Sequence, residues 1–158
     1  MYICSMNRWT LQDLYNKNLD VDLKNGVAKK KKYGNTKVEK DGSTFDSKHE
    51  SNFYSLLKLH NINFTMKEVF VLQEKFRYNG ELIREIKIIP DFIIKKNGQM
   101  VAIVDTKGMI TPDSKLKFKM LKKYLYDNGF NIPVYLPTNK KTSQEVITKL
   151  LHEIQSAA

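Results

Sequence analysis

The chain has 158 residues, 41% of them apolar, which is enough for one domain with a substantial core. Its formal net charge of +10 indicates a polyanionic partner, nucleic acid before a membrane surface. The single cysteine, Cys4, excludes a disulfide framework and a cysteine zinc cluster, and the lack of a long apolar run or signal-peptide pattern predicts a cytoplasmic protein without a membrane partner.

Residues 1–35 predict a basic N-terminal arm, separate from a folded domain over residues 36–158. Thr10–Asn16 is a candidate short helix within the arm. Seven lysines stand against one acid, Glu39, between Lys24 and Lys40. Such like-charge blocks are often disordered and often contact nucleic acid, and the two interpretations remain equally supported. The lysines of the arm proposed to bind DNA are Lys29, Lys30, Lys31 and Lys32.

The segment from Phe45 to Leu57 predicts the first helix, with apolar residues at helical spacing. Glu50 lies on or beside the apolar stripe, and two interpretations of it remain open. Ser47-x-x-Glu50 is a capping box in which Glu50 would accept a hydrogen bond from the Ser47 amide. Alternatively, Glu50 faces the sheet and helps to hold a metal ion. Without further context the capping role is favoured.

Two strands are predicted next, at Lys67–Phe76 and Leu82–Ile89, on either side of the turn Asn79-Gly80. A β-hairpin follows within residues 90–108, where two short apolar runs flank the turn signal Asn97-Gly98. The runs are Phe92–Ile94 and Met100–Val104.

The ends of this hairpin carry acidic and basic side chains. Residues two apart on a strand share a face, so Asp105 and Lys107 point the same way and Thr106 points away from them. Asp91 shares their face only if the numbers of paired residues have an even sum. A simple two-residue loop gives an odd sum, so a functional site requires a longer loop or a bulge. Two carboxylates and an ammonium would then suit a divalent cation and a water beside a phosphate.

A second helix is predicted at Asp113–Asp127, followed by a strand at Ile132–Leu136 and a last helix that begins at the capping box Thr142-x-x-Glu145. The second helix has an apolar stripe that includes Leu116, and the rest of its surface is rich in lysine. Contact with phosphate and simple solvation explain these lysines equally well. They are Lys115, Lys117, Lys119, Lys122 and Lys123.

The order helix, about three strands, helix, strand, helix predicts an α/β fold with a mixed central sheet flanked by helices. This order and the residues above resemble the PD-(D/E)xK nuclease superfamily, which has an αβββαβ, restriction-endonuclease-like core. The chain is more similar to a phage-encoded branch described as Holliday-junction-resolvase-like. That likeness covers roughly residues 32–127. It rests on Lys32-Tyr33-Gly34-Asn35, Phe45-Asp46-Ser47-Lys48-x-Glu50, Phe76-Arg77-Tyr78-Asn79-Gly80 and the Asp105-x-Lys107-Gly108 segment.

The resemblance implies a magnesium-dependent endodeoxyribonuclease, with Mn²⁺ as a substitute metal, that acts in DNA recombination. Glu50, Asp91, Asp105 and Lys107 match the catalytic positions, although many superfamily members have Glu where Asp105 stands. The implied metal ligands are Asp91, Asp105, the carbonyl of Thr106, and Glu50 directly or through water. A resolvase of this kind would act on branched DNA as a homodimer, in the host cytoplasm if it is phage-encoded.

Two other functions remain as alternatives. One is a different DNase of the same superfamily, of a nicking or transposon-end type. The other is a non-catalytic accessory protein that binds DNA through its lysines without magnesium. The presence of all four catalytic-type residues argues against the accessory protein.

Overall fold

The computed structural model describes residues 19–22, 27–30 and 37–156, which include three helices and twelve strands. The helices are α1 (Lys48–Leu59), α2 (Pro112–Asp127) and α3 (Lys140–Ser156). The strands are β1 (Leu19–Asp22), β2 (Val27–Lys30), β3 (Val38–Lys40), β4 (Ser43–Phe45), β5 (Phe64–Met66), β6 (Phe70–Gln73), β7 (Phe76–Tyr78), β8 (Glu81–Ile83), β9 (Ile86–Ile88), β10 (Phe92–Lys96), β11 (Gln99–Val104) and β12 (Val134–Tyr135).

The central sheet is four-stranded and mixed, in the order β12-β11-β10-β5. β10 lies antiparallel to both β5 and β11, whereas β12 is parallel to β11 and is reached through α2. The elements around the sheet therefore follow the order α1, β5, β10, β11, α2, β12, which confirms the predicted α/β class.

Alternate residues of β10 and β11 face two separate cores, because successive side chains of a strand point to opposite faces. One face packs on α1 and α3, and it includes Phe92 and Val104. The other face packs on α2 and on the β6–β9 pair, and it includes Ile93 and Ile103. Each of these four side chains is fully buried, so the hairpin is held firmly from both sides.

The first strand of the central sheet lies at Phe64–Met66. The strand predicted over Lys67–Phe76 is present as the shorter β6, but it lies outside the central sheet. A left-handed backbone at Lys67 (φ 59°) takes the chain out of the sheet after β5. The strand-forming residues that follow build two antiparallel pairs, β6 with β9 and β7 with β8. The turn at Asn79-Gly80 is confirmed, with positive φ at both residues.

The helices differ from the sequence predictions at their ends and on one face. α1 begins at Lys48, because Phe45 belongs to β4 and Ser47 is the N-cap. In α2, Leu116 is 57% exposed, and Phe118 is buried in the core that the stripe was expected to cover. α3 begins at Lys140, before Thr142.

The start of α3 explains that last difference. The Thr142 amide donates to Oδ1 of Asn139, so Asn139 acts as the cap, and Oγ1 of Thr142 accepts from the amides of Thr138 and Asn139. The pairing is the reverse of the predicted one, in which Thr142 would cap the helix itself.

Little of the predicted N-terminal arm lies within the described residues. β1 and β2 pair there as an antiparallel hairpin, which places Lys29 and Lys30 in a strand. The candidate helix Thr10–Asn16 and the lysines Lys31 and Lys32 lie outside the described residues. In the described part of the chain, every helix is too short or too polar to cross a membrane.

Candidate functional site

The β10–β11 hairpin has the register that a shared site requires. Asn97 and Gly98 form a two-residue loop with positive φ at both positions. Lys95 pairs with Met100, an odd sum, but Ile94 pairs with Ala102 and Phe92 with Val104, an even sum. Val101 is the extra residue of a β-bulge between these two registers. One more pair along the ladder brings Asp91 opposite Asp105, so the predicted bulge is confirmed.

Asp91 is held by Thr106. The backbone N–H and the hydroxyl of Thr106 both donate to Oδ2 of Asp91, each at 2.6 Å. Thr106, which was predicted to point away from Asp105 and Lys107, thus contacts Asp91 through both groups. β11 ends at Val104, and beyond it the carboxylate of Asp91 serves as the acceptor for the Thr106 amide. Oδ2 of Asp91 accepts both hydrogen bonds from Thr106, and Oδ1 accepts neither of them.

Pro90 leaves the Thr106 carbonyl without its normal ladder partner. The amides of Ile103, Asp105 and Lys107 donate to carbonyls in β12 and in the residues on either side of it, so the Thr106 backbone faces β10. The next hydrogen-bonded pair of the β10–β11 ladder would join Thr106 to Pro90. Proline has no N–H to donate. The carbonyl of Thr106 is thereby available at the place where Asp91 and Asp105 meet.

Asp105 and Lys107 form a buried ion pair. Nζ of Lys107 lies 2.7 Å from Oδ2 of Asp105, whose side chain is only 2% exposed. The ammonium therefore supplies the positive charge directly beside this buried oxygen. Burial, with the charge of Asp91, raises the pKa of Asp105 to about 6, although Lys107 opposes the shift. A metal cation bound to Oδ2 would offset the burial and the charge of Asp91, which both disfavour the carboxylate form.

Lys107 remains a cation in this setting. Burial works to lower its pKa, but the pairing with Asp105 and the charges of Asp91 and Glu50 outweigh burial, and the net shift is upward. Its side chain is 35% exposed, so the ammonium can reach a ligand in solvent while it contacts Asp105.

Glu50 is close enough to Asp91 and Lys107 for their charges to interact, but its carboxylate accepts a hydrogen bond from a different segment of the chain. The amide of Asp46 donates to Oε2 of Glu50 at 2.8 Å, and the Glu50 amide donates to Oγ of Ser47 at 3.1 Å. The capping box is thus present with a shifted partner, since Glu50 was expected to accept from Ser47. Burial raises the pKa of Glu50, against the Asp46 hydrogen bond and with the charge of Asp91.

Asp91 and Asp105 offer carboxylate oxygens to a divalent cation. In the described part of the chain, no group of three His, Cys, Asp or Glu side chains is arranged to hold a metal ion. The two carboxylates do lie opposite each other beyond the ladder, close enough for the charge of Asp91 to act on Asp105. Magnesium takes few protein oxygens and retains several waters, so two carboxylates fit it.

Asp105 and Lys107 lie two and four residues after Ile103 and therefore share its face of the sheet. The helix α2 covers that face. Lys117 and Lys123 pair with acids of the same helix, Asp113 and Asp127. The other three lysines of α2 that were predicted to bind DNA are exposed and have no acidic partner within the described residues. These three are Lys115, Lys119 and Lys122.

Sequence reasoning missed the contribution of three residues to this site. They are Val101, which supplies the bulge, Pro90, which frees the Thr106 carbonyl, and Asp46, whose amide holds Glu50. The proline before Asp91 was a usable signal, because a proline at a strand end always removes a ladder donor.

A family model described as "Protein of unknown function (DUF1064)" matches residues 30–132. This range contains every residue of the candidate site. No curated protein and no solved structure matches the chain.

Proposed function

We propose that this chain, which belongs to the DUF1064 family, is a magnesium-dependent DNA endonuclease that cuts branched DNA as a Holliday junction resolvase. The observation that carries the proposal is the meeting of Asp91, Asp105 and Lys107 in register at one end of the sheet, where the buried Oδ2 of Asp105 lies 2.7 Å from Nζ of Lys107. The order of the elements around the sheet supports a restriction-endonuclease-like core.

Asp91, Asp105 and the Thr106 carbonyl would hold the cation, and Glu50 would act through water. When bound, magnesium would supply charge for the phosphate and an acidified water. The two hydrogen bonds from Thr106 to Oδ2 hold the carboxylate of Asp91 in place. Lys107, as a cation 35% exposed to solvent, would orient the attacking water and stabilise the negative charge that develops on the phosphate.

The lysines of α2 would supply affinity for the DNA backbone that does not depend on sequence. A resolvase cuts two symmetric strands, so we propose that the active form is a homodimer. Symmetric paired cuts in a four-way junction, made by a protein with the mass of two chains in solution, are the expected results.

Cleavage of junction, flap and duplex DNA, with and without magnesium, tests the proposal. The parent should cut the junction only with magnesium. Asp91→Asn and Asp105→Asn should lower cleavage by at least about a thousandfold, because each removes a ligand charge, while DNA binding persists. Asp127→Asn is the matched control, because that carboxylate pairs with Lys123 on the exposed side of α2.

The outcomes separate the alternatives. Cleavage of duplex and junction at equal rates would favour a less selective DNase of the same chemistry. Magnesium-independent binding with no cleavage of any substrate would favour the accessory protein. Cleavage by Asp105→Asn within threefold of the parent would contradict the site assignment itself.

A further inference from the structure

A cleft of about 600 Å³ adjoins the candidate site, between α1 and the start of α3. One wall comes from α1 and includes His49, Asn52 and Leu56. Gly108, the residue after Lys107, lies at its edge, and the opposite wall includes Gln144 of α3. Gly108 and His49, which is within electrostatic range of Asp91, connect the cleft to the candidate site.

A hydrogen bond across the base of the cleft holds its two walls. Nε2 of His49 lies 2.9 Å from Oγ of Ser143, which is 3% exposed. Ser143 in turn donates to the carbonyl of Asn139. Burial lowers the pKa of His49, and the charge of Asp91 opposes that shift, so the imidazole lies within electrostatic range of the carboxylates. The cleft is preformed and next to the proposed chemistry.

The lining combines apolar surface with amide groups. Phe53 and Leu56 form the apolar part, while Asn52 and Gln144 are exposed amides at the rim. The described residues that line the cleft include no acid, and they include Lys140 at the first turn of α3. A planar, uncharged group with a polar edge, attached to a phosphate, matches such a lining.

We propose that this cleft binds the base of an unpaired nucleotide next to the phosphate that is cut. The proposal rests on the proposed nuclease function and deepens it. The volume is typical of a site for a small molecule, and bases outside the stack are held by apolar surface together with hydrogen bonds to their edges. A base enters only after it leaves its pair, so the cleft gives the protein a preference for branched DNA.

Two tryptophan substitutions on α1 test the cleft. Asn52→Trp fills it from its exposed rim, and Leu59→Trp adds the same side chain at a position that is 73% exposed and does not line the cleft. Both proteins are first compared with the parent by thermal melting. Gln144→Leu, which keeps the size of the side chain and removes its amide, is a third variant and alters no core residue.

The substrates are four-way junctions with one abasic site placed in turn at each position beside the cut. The parent and Leu59→Trp should lose about tenfold in cleavage rate at one such position, the range expected for one bound base. Asn52→Trp should be about tenfold slower on the intact junction and insensitive to the abasic site. Full sensitivity in Asn52→Trp, or its cleavage at the parent rate, would overturn the proposal.

A binding measurement makes the result independent of cleavage. Fluorescence anisotropy in EDTA compares short single-stranded oligonucleotides that carry either one base or only abasic positions. The parent should bind the base-bearing probe about tenfold more tightly, and Asn52→Trp and Gln144→Leu should lose that difference. Equal affinity of the parent for both probes overturns the cleft proposal even if the protein cuts junctions. If the parent cuts no DNA, the nuclease proposal fails, and this binding difference alone decides the cleft.

Discussion

At the scale of single residues, Glu50 shows how one side chain can serve two purposes. Its carboxylate accepts from the Asp46 amide while its pKa is raised by burial and by the charge of Asp91. A glutamine can accept the same hydrogen bond through its amide oxygen, but it carries no charge. Glu50→Gln therefore separates the structural role of this residue from its electrostatic role.

We expect Glu50→Gln to lower the cleavage rate by about a hundredfold or more, because it removes a negative charge near the proposed metal. The melting temperature should stay the same or rise, since the fold already disfavours the charged form of Glu50. Cleavage assays and thermal melting of this one variant, with and without magnesium, measure both effects. Full activity would restrict Glu50 to its role at the start of α1.

Asp105 makes the stability of the metal-free protein depend on pH. Its pKa in the folded state is about 6, above the ordinary 3.8, so the folded state binds the proton more tightly. The resulting stabilisation is present below 3.8 and is lost as the pH rises through 6. Over that interval the linked loss is about 3 kcal/mol for a shift of this size.

Asp105→Asn should escape that loss. In EDTA, its free energy of unfolding relative to the parent should increase by up to about 3 kcal/mol between pH 3.5 and 7.5, as measured by urea denaturation. Asp127→Asn, which removes a largely exposed carboxylate, should show no such trend. Magnesium added at pH 7.5 should stabilise the parent and leave Asp105→Asn unchanged. A difference in unfolding free energy between Asp105→Asn and the parent that does not change with pH would contradict the raised pKa of Asp105.

At the scale of elements, the number of residues in the hairpin decides whether Asp91 and Asp105 share a face. Deletion of both Met100 and Val101, with the two-residue loop kept, would shift the pairing by one residue. Asp105 would then pair with Phe92 and lie on the other face from Asp91. We expect this double deletion to abolish magnesium-dependent cleavage. Deletion of Val101 alone removes only the bulge residue, leaves Asp91 opposite Asp105, and should retain activity.

Each of these two variants is the control for the other, because both alter the same hairpin. Cleavage assays and circular dichroism on each separate lost register from lost folding. Activity in the double deletion would show that the alignment of Asp91 with Asp105 is not required.

At the scale of the whole molecule, the net charge of +10 is distributed unevenly. Lys115, Lys119 and Lys122, which have no acidic partner among the described residues, belong to the helix that covers the site face, whereas Lys117 and Lys123 are paired with acids. Each lysine that contacts a phosphate contributes about 0.9 to the slope of log affinity against log salt. The two sets therefore differ in what they can contribute to DNA binding.

Replacement of Lys115, Lys119 and Lys122 by alanine should reduce that slope by up to about 3 and leave the metal site intact. Replacement of Lys117 and Lys123 is the control on the same helix, with a smaller expected change, because their charges are already neutralised. Filter binding from low to high salt measures both. An equal effect of the two sets would show that α2 does not contact the DNA backbone.

Much of this architecture follows from local sequence. The turns at Asn79-Gly80 and Asn97-Gly98, the end of α2 at Asn128-Gly129, and the α/β class are all confirmed, because each depends on the conformational preference of neighbouring residues. The need for a longer loop or a bulge in the hairpin was also predictable, since the period of two along a strand does not align Asp91 with Asp105 across a simple two-residue turn.

The tertiary structure decided what local preference leaves open. The residues from Lys67 to Phe76 are as suitable for a strand as Phe64–Met66, and only pairing with β10 selects the latter for the sheet. Phe118 is buried and Leu116 is exposed because of where α2 meets β6 and β9. The bonds from Thr106 to Asp91 and from Asp46 to Glu50 likewise arise only where chain segments end beside each other. Their geometry depends on packing between elements, which no single segment of the sequence contains.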